Sequence, residues 1–180
     1  MLEWGCGPAR VIRHVPNLLL NSNIHATDYN MHSIDWCERN IEEVSFHLNS
    51  LTPPLDFTDD YFDVVYAISV ITHLSRSSIL LWFKELSRVL KPNGLLIVTS
   101  NGKSCLKYLL PDEAVYFRDN GYVIRDKVEE GKKMFWSCHS PEYMQNFLFD
   151  GFIVEKYSPA NFPFTNQDYW ILRKDFISCD

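Results

Sequence analysis

The stretch Leu2-Glu3-Trp4-Gly5-Cys6-Gly7-Pro8-Ala9-Arg10 reads as an apolar strand end, a tight Gly-x-Gly turn and the start of a helix. Glycines at positions 5 and 7 remove side chains where a ligand can come close to the backbone. A plain tight turn accounts for the same residues. Asp28 follows Gly7 by 21 residues, at the end of a second apolar run, Ile24-His25-Ala26-Thr27. That offset suits a carboxylate that grips ribose hydroxyls; a carboxylate at a helix N-terminus beside Tyr29-Asn30 is the alternative. A nucleoside cofactor is therefore expected. The dinucleotide fingerprint Gly-x-Gly-x-x-Gly requires a third glycine at position 10, where this chain has Arg10. Glu3, just before the turn, stands where a cationic ligand could be met.

Bulk composition narrows the class. The chain has 180 residues, so one domain spanning residues 1–180 is expected. Its hydrophobic content of 46% supports a sizeable core, and a net charge of -6 without a basic stripe argues against nucleic acid as a partner. No apolar run reaches the length of about 18 residues that a membrane span needs, and no basic-then-apolar leader opens the chain. Cysteines 6, 37, 105, 138 and 179 are odd in number and scattered. Reduced thiols and a cytoplasmic setting are expected from that distribution. The adjacent Cys138-His139 has no second pair at ligand spacing, so no structural metal is expected.

The elements alternate. Strands are expected at 1–4, 24–27, 44–48, 62–70, 94–100, 152–157 and 169–174. Helices are expected at 9–20 with a break near Pro16, at 31–40 with Asn30 as cap, at 77–90, and from Ser140-Pro141-Glu142 to about 149. Phe62 to Val70 is a near-continuous apolar run, as a buried parallel strand requires. Lys91-Pro92-Asn93-Gly94 reads as a helix stop and turn. Residues 103–138 break the alternation and read as an insertion on the substrate side, with a hairpin of 123–128 and 133–137. The order implies an α/β, doubly wound sheet with right-handed crossovers.

Glu3, Gly5, Gly7 and Ala9 fill the places of the apolar-Asp/Glu-x-Gly-x-Gly-x-Gly/Ala motif of the class I S-adenosylmethionine-dependent methyltransferases. Phe83 to Asn101, with its helix, Lys-Pro-x-Gly turn and apolar strand, is similar to another stretch typical of them. The resemblance covers nearly all of residues 1–175, more loosely over 103–138. It implies a Rossmann-like three-layer sandwich: a mostly parallel seven-stranded sheet with an antiparallel C-terminal hairpin. Relatives carry a few dozen residues before the first strand, cap helices that this sequence lacks, so the chain looks N-terminally truncated.

Site residues follow from the resemblance by position. The Gly5-Cys6-Gly7 backbone is expected against the methionine part and sugar of S-adenosylmethionine. Glu3 should order that loop and reach the cofactor ammonium through water, and Asp28 should hold the ribose hydroxyls. Tyr29 is expected beside the adenine, and Asn49-Ser50 near the adenine amine, although an ordinary turn explains that pair too. Ser69 and Val70 should end the fourth strand beside the cofactor. A hydroxyl acceptor gains from a nearby base, and histidine suits neutral pH. His73 is the first candidate and His139 the second, each with a packing or backbone-bonding role as the alternative. Tyr116, Tyr122 and Trp136 could form a substrate wall or simply pack on the sheet. The fourth strand ends in Ser69-Val70-Ile71-Thr72, not the Asn/Asp-Pro-Pro-Tyr/Phe signature of amino-directed relatives. The resemblance, with a tail from His139 to Lys174 like that of enzymes acting on glycans or secondary metabolites, implies a small-molecule or sugar acceptor. An inactive cofactor-binding module, or a fragment of a larger enzyme, is the competing reading.

Overall fold

In the computed structural model, which describes residues 1–161, 163 and 165–175, the strand order is set by two opposite walks across one sheet. Strands β1 (Leu2–Trp4), β2 (His25–Asp28) and β3 (Ser45–Leu48) step one way, and β4 (Phe62–Ala67) and β5 (Leu90–Ser100) step the other. The C-terminal pair β8 (Phe152–Ser158) and β9 (Asp168–Lys174) completes the order β3-β2-β1-β4-β5-β9-β8. The first five strands pair in parallel, while β9 runs antiparallel to both β5 and β8. This is the expected seven-stranded, mostly parallel sheet with its terminal hairpin.

Alternation along the strands divides the core in two. Leu2, Trp4, Val65, Ala67, Leu96 and Val98 point to one face, where α2 (Arg76–Val89) and α4 (Pro141–Phe147) bury Trp82, Phe83, Leu86 and Met144. Ala26, Phe46 and Tyr66 point to the other, where α1 (Met31–Asn40) brings Ile34 and Cys37. The helices start where their caps dictate. Asn30, Ser75 and Ser140 each accept a hydrogen bond from the backbone N–H three residues on. Among the described residues, no helix is long and apolar enough to cross a membrane.

Four expectations need correction. The helix expected over 9–20 is only a 3-10 turn at Ile12–His14. Ala9 sits at φ 53, outside the helical region, and Pro16 has no amide to donate. The fourth strand stops at Ala67, because Ser69 turns into the left-handed region at φ 62. The fifth strand already pairs at Leu90 opposite Phe62, and the expected turn is a bulge with Asn93 at φ 62 before pairing resumes at Leu95. Two cysteines are not free thiols: Cys105 and Cys138 form a disulfide, their Cα atoms 6.7 Å apart. Sequence spacing gave no sign of that proximity, and the argument for a cytoplasmic setting from unpaired cysteines loses its premise. Cys6 and Cys37 are free and buried, and Cys179 lies outside the described residues.

Residues 103–138 hold more than a hairpin. A 3-10 turn (Lys103–Tyr108) leads to α3 (Pro111–Asn120), which the sequence reading missed despite its first-turn proline and the Gly121 stop at φ 80. The hairpin strands are β6 (Tyr122–Arg125) and β7 (Trp136–His139), in the register Tyr122 opposite His139. The His139 ring stacks on Tyr143 at 5.8 Å and lies 6.5 Å from the Tyr122 ring. It is 1% exposed, and its Nε2 has no partner. Burial alone pushes its pKa down to about 4.

Gly102 and His139 yield two predictions. A Cβ on Gly102 would lie 1.9 Å from Asp168 Oδ2, and that carboxylate is already held by the Tyr157 hydroxyl and the Ala160 amide. Gly102→Ala should therefore cost roughly 2–3 kcal/mol in urea unfolding. His139 folds neutral, so its stabilising contribution is complete above its unfolded pKa of about 6.5 and is lost as pH falls toward about 4. Glu3 acts oppositely: burial raises its pKa to about 7, so its contribution is complete below the unfolded value of 4.5 and is lost as pH rises through 7. The clean observable is a difference between proteins. His139→Leu should gain on the order of 3 kcal/mol relative to wild type between pH 7.5 and pH 4, read from unfolding midpoints at each pH.

Candidate functional site

The two walks across the sheet part between β1 and β4, and the carboxyl ends of the strands there open into a cleft of about 490 Å³. That is where doubly wound sheets place ligands. Its geometry starts with the glycine turn. The N–H groups of Gly5 and Cys6 both donate to Thr27 O, at 2.8 and 2.9 Å, which hangs the turn on the end of β2. Gly5 adopts φ 77, and a Cβ there would come within 2.4 Å of Val70 Cγ2, so no other residue fits. Gly7, at φ 51, has open space where its side chain would be and lines the cleft with bare backbone.

Asp28 holds the turn in place. Its Oδ2 accepts from Gly7 N at 2.7 Å and its Oδ1 from Asn30 N at 2.8 Å. A carboxylate has about four acceptor positions, so half of its capacity remains for a ligand. Among the described residues, Asp28 is the only acidic side chain of the lining, and it is 7% exposed. Asn49, at the end of β3, lines the same cleft. Its Nδ2 donates to Ser50 O at 2.6 Å, while its Oδ1 is buried with no partner. An unpartnered acceptor beside a cleft gains a partner where a rotation of its side chain turns it toward a bound donor.

The expected residues divide into two sets. Gly5, Gly7, Asp28, Tyr29, Asn49, Ser50, Ser69, Val70 and His73 all line the one cleft. Glu3, Cys6 and His139 do not. Glu3 is buried behind the turn, where its Oε2 accepts from Ile12 N at 3.2 Å and from the Tyr66 hydroxyl at 3.1 Å. Both contacts are with neighbouring protein groups, and Glu3 is absent from the cleft lining. The Cys6 side chain packs into the second core, and burial pushes its thiol pKa up. His139 lies in β7 within its aromatic stack.

The sequence reading also missed lining residues. Arg10 and Lys133 bring positive charge to the rim, and Trp4 and Trp82, whose rings pack 4.6 Å apart, add an aromatic face. The segment 130–135 folds over this site. Tyr29 donates its hydroxyl to Gly131 O at 2.8 Å, Gly131 N donates to His73 O at 2.8 Å, and Glu130 accepts from Ser75 N. His73 Nδ1 lies 2.8 Å from Phe135 O. A carbonyl only accepts, so Nδ1 carries the proton and Nε2 is the acceptor in the neutral ring.

Known proteins share this fold. The methyltransferase domain family matches residues 2–98. Among solved structures, a methyltransferase of Methanosarcina mazei described as dependent on S-adenosylmethionine superposes with a TM-score of 0.71 at 19% identity, over 96% of this chain and 91% of that one. A protein of Listeria monocytogenes, described as a putative methyltransferase of the same dependence, gives a TM-score of 0.72 at 14% identity over 97% and 90%. A putative sarcosine dimethylglycine methyltransferase of Galdieria sulphuraria gives 0.65 at 13% over 97% and 77%. These likenesses agree with the fold, and the match across residues 2–98 covers more than half of the sequence: the chain belongs to the methyltransferase domain family.

Proposed function

We propose that this chain transfers a methyl group from S-adenosylmethionine to a hydroxyl of a small molecule or sugar. The observation that carries the reading is the convergence of three groups on one cleft: the bare Gly5–Gly7 backbone, the half-used Asp28 carboxylate and the unpartnered Asn49 Oδ1. They fit the three parts of that cofactor. Asp28 accepts from the ribose hydroxyls through charge-assisted hydrogen bonds. Asn49 Oδ1 accepts from the adenine amine, with Tyr29 and Leu51 beside it in the lining. Arg10 and Lys133 supply positive charge for the amino-acid carboxylate, and Ser69 and Val70 border the methyl-bearing end. Bound there, the cofactor supplies an electrophilic methyl carbon for in-line displacement.

The remaining work falls to positioning and proton handling. The Tyr29, His73 and Ser75 contacts hold the segment 130–135 beside the cleft. His73 Nε2, the acceptor of the ring, takes the proton of the acceptor hydroxyl as its oxygen is methylated. His139 stays neutral and out of reach of the cleft, which leaves it a packing role. The small-molecule reading also draws support from the Galdieria neighbour, whose described substrates are small molecules.

Calorimetric titration with S-adenosylhomocysteine, with a nicotinamide dinucleotide as control, tests the cofactor. Micromolar affinity for the first alone is expected. Asp28→Ala should weaken it at least tenfold, the equivalent of about 1.4 kcal/mol or more. Unchanged affinity in that variant would sink the ribose assignment. His73→Gln should leave this affinity within about threefold and lower the rate of acceptor methylation by roughly a hundredfold.

A further inference from the structure

A second cleft, of about 550 Å³, adjoins the first at the C-terminal end of β5 and the start of β9, and Ile68 lines both. The two are joined by a closed ring of hydrogen bonds. Ser69 N donates to Thr99 Oγ1 at 2.8 Å. Thr99 Oγ1 donates to Gln167 Oε1 at 2.7 Å, and Gln167 Nε2 donates back to Ser69 Oγ at 2.9 Å. Ser69 lines the first cleft, while Thr99 and Gln167 line the second. Ser69 enters this ring only because its backbone turns to φ 62, which costs a non-glycine residue some free energy. The strained residue and its ring stand where the two clefts meet.

The chemistry of the second cleft is uniform. Among the described residues, its lining has no Asp, Glu, Lys, Arg or His. Three aromatic side chains, Tyr108, Trp136 and Tyr169, accompany the amides and hydroxyls of Asn101, Gln167 and Thr99. The nearest cations are engaged with protein groups: Arg125 pairs with Glu113 and lies over the Trp136 ring at 5.0 Å, and Lys107 Nζ lies 4.8 Å over the Tyr108 ring. An ionised acceptor would have to leave water and draw one of them away from its contact. Asn101 Nδ2 donates to Ser137 O and Gln167 Nε2 to Ser69 Oγ, which leaves the second Asn101 N–H and lone pairs on Asn101, Gln167 and Thr99 to meet hydroxyls of a bound ring. Aromatic rings cover the apolar side of such a ring. The Cys105–Cys138 disulfide ties the 3-10 turn that carries Tyr108 to β7, which carries Trp136, so two of the aromatic groups are held in fixed relation.

We propose that this cleft holds the body of the acceptor, with the reacting hydroxyl reaching past Ile68 into the first cleft toward His73, and that the acceptor is an uncharged, polyhydroxylated ring, a neutral sugar. The proposal rests on the methyltransferase reading above and narrows its acceptor. Polar groups arranged for several hydroxyls also discriminate against rings that lack them, because unpaired amides are left behind.

Saturation-transfer NMR on the full chain, with S-adenosylhomocysteine present, provides the test. The probes are a panel of neutral methyl hexosides and pentosides, their uronic-acid and amino-sugar counterparts, and a neutral phenol. At least one neutral glycoside should bind, with its charged counterparts and the phenol at least tenfold weaker. Tyr108→Ala, at an exposed position, and Trp136→Phe should each weaken that glycoside several-fold, and Asn101→Ala at least tenfold, with S-adenosylhomocysteine affinity kept within twofold. Preferential binding of a charged sugar or of the phenol would overturn the proposal. So would glycoside binding indifferent to all three substitutions, or no glycoside binding by a chain that holds S-adenosylhomocysteine. A folded chain that fails to bind S-adenosylhomocysteine would instead overturn the cofactor reading on which the proposal stands.

Discussion

The Asp28 carboxylate, at the end of β2, accepts from the N–H of Gly7 in the turn after β1, while Thr27 O accepts from Gly5 and Cys6. Three backbone donors of one loop thus end on two consecutive residues of the neighbouring strand. Those donors belong to a segment that forms no full helix, so without Thr27 and Asp28 they would be buried and unpaired. Glu3 completes the arrangement from behind by accepting from Ile12. With the turn fixed in this way, Gly5 can lie against Val70 and the cleft can open between β1 and β4. The same carboxylate that shapes the loop keeps half of its acceptor capacity unused at the cleft.

The other half of the site is built by residues distant in the chain. The segment 130–135 is held beside the cleft through contacts to Tyr29, His73 and Ser75, none of which is near it in sequence. His73 holds it through its backbone carbonyl and its ring together. The hydrogen bond that makes His73 structural also fixes which ring nitrogen can accept a proton.

Burial sorts the remaining titratable groups. Glu3 and His139 are both nearly inaccessible and both pulled toward their neutral forms, Glu3 upward to about 7 and His139 downward to about 4. Neither lines the cleft. A perturbed pKa in this molecule therefore marks the core behind the site as much as the site itself.

What the sequence by itself determined was whatever depends on local pattern. The apolar runs and their spacing placed seven strands and the helices α1, α2 and α4 within a few residues, because a buried parallel strand and an amphipathic helix each impose a period that side chains must obey. The glycine turn and Asp28 were legible for the same reason, since a close backbone approach leaves few residue choices. Tertiary structure alone decided the rest. The helix expected over 9–20 gave way to Ala9 at φ 53 and to the capture of Ile12 N by Glu3, a contact across nine residues. Arg10 and Lys133 came to one rim, Cys105 met Cys138 across 33 residues, and His139 was withdrawn into an aromatic stack. Each outcome depends on which distant segment arrives next to a residue. Folding settles that through packing of the whole chain, and no local period records it.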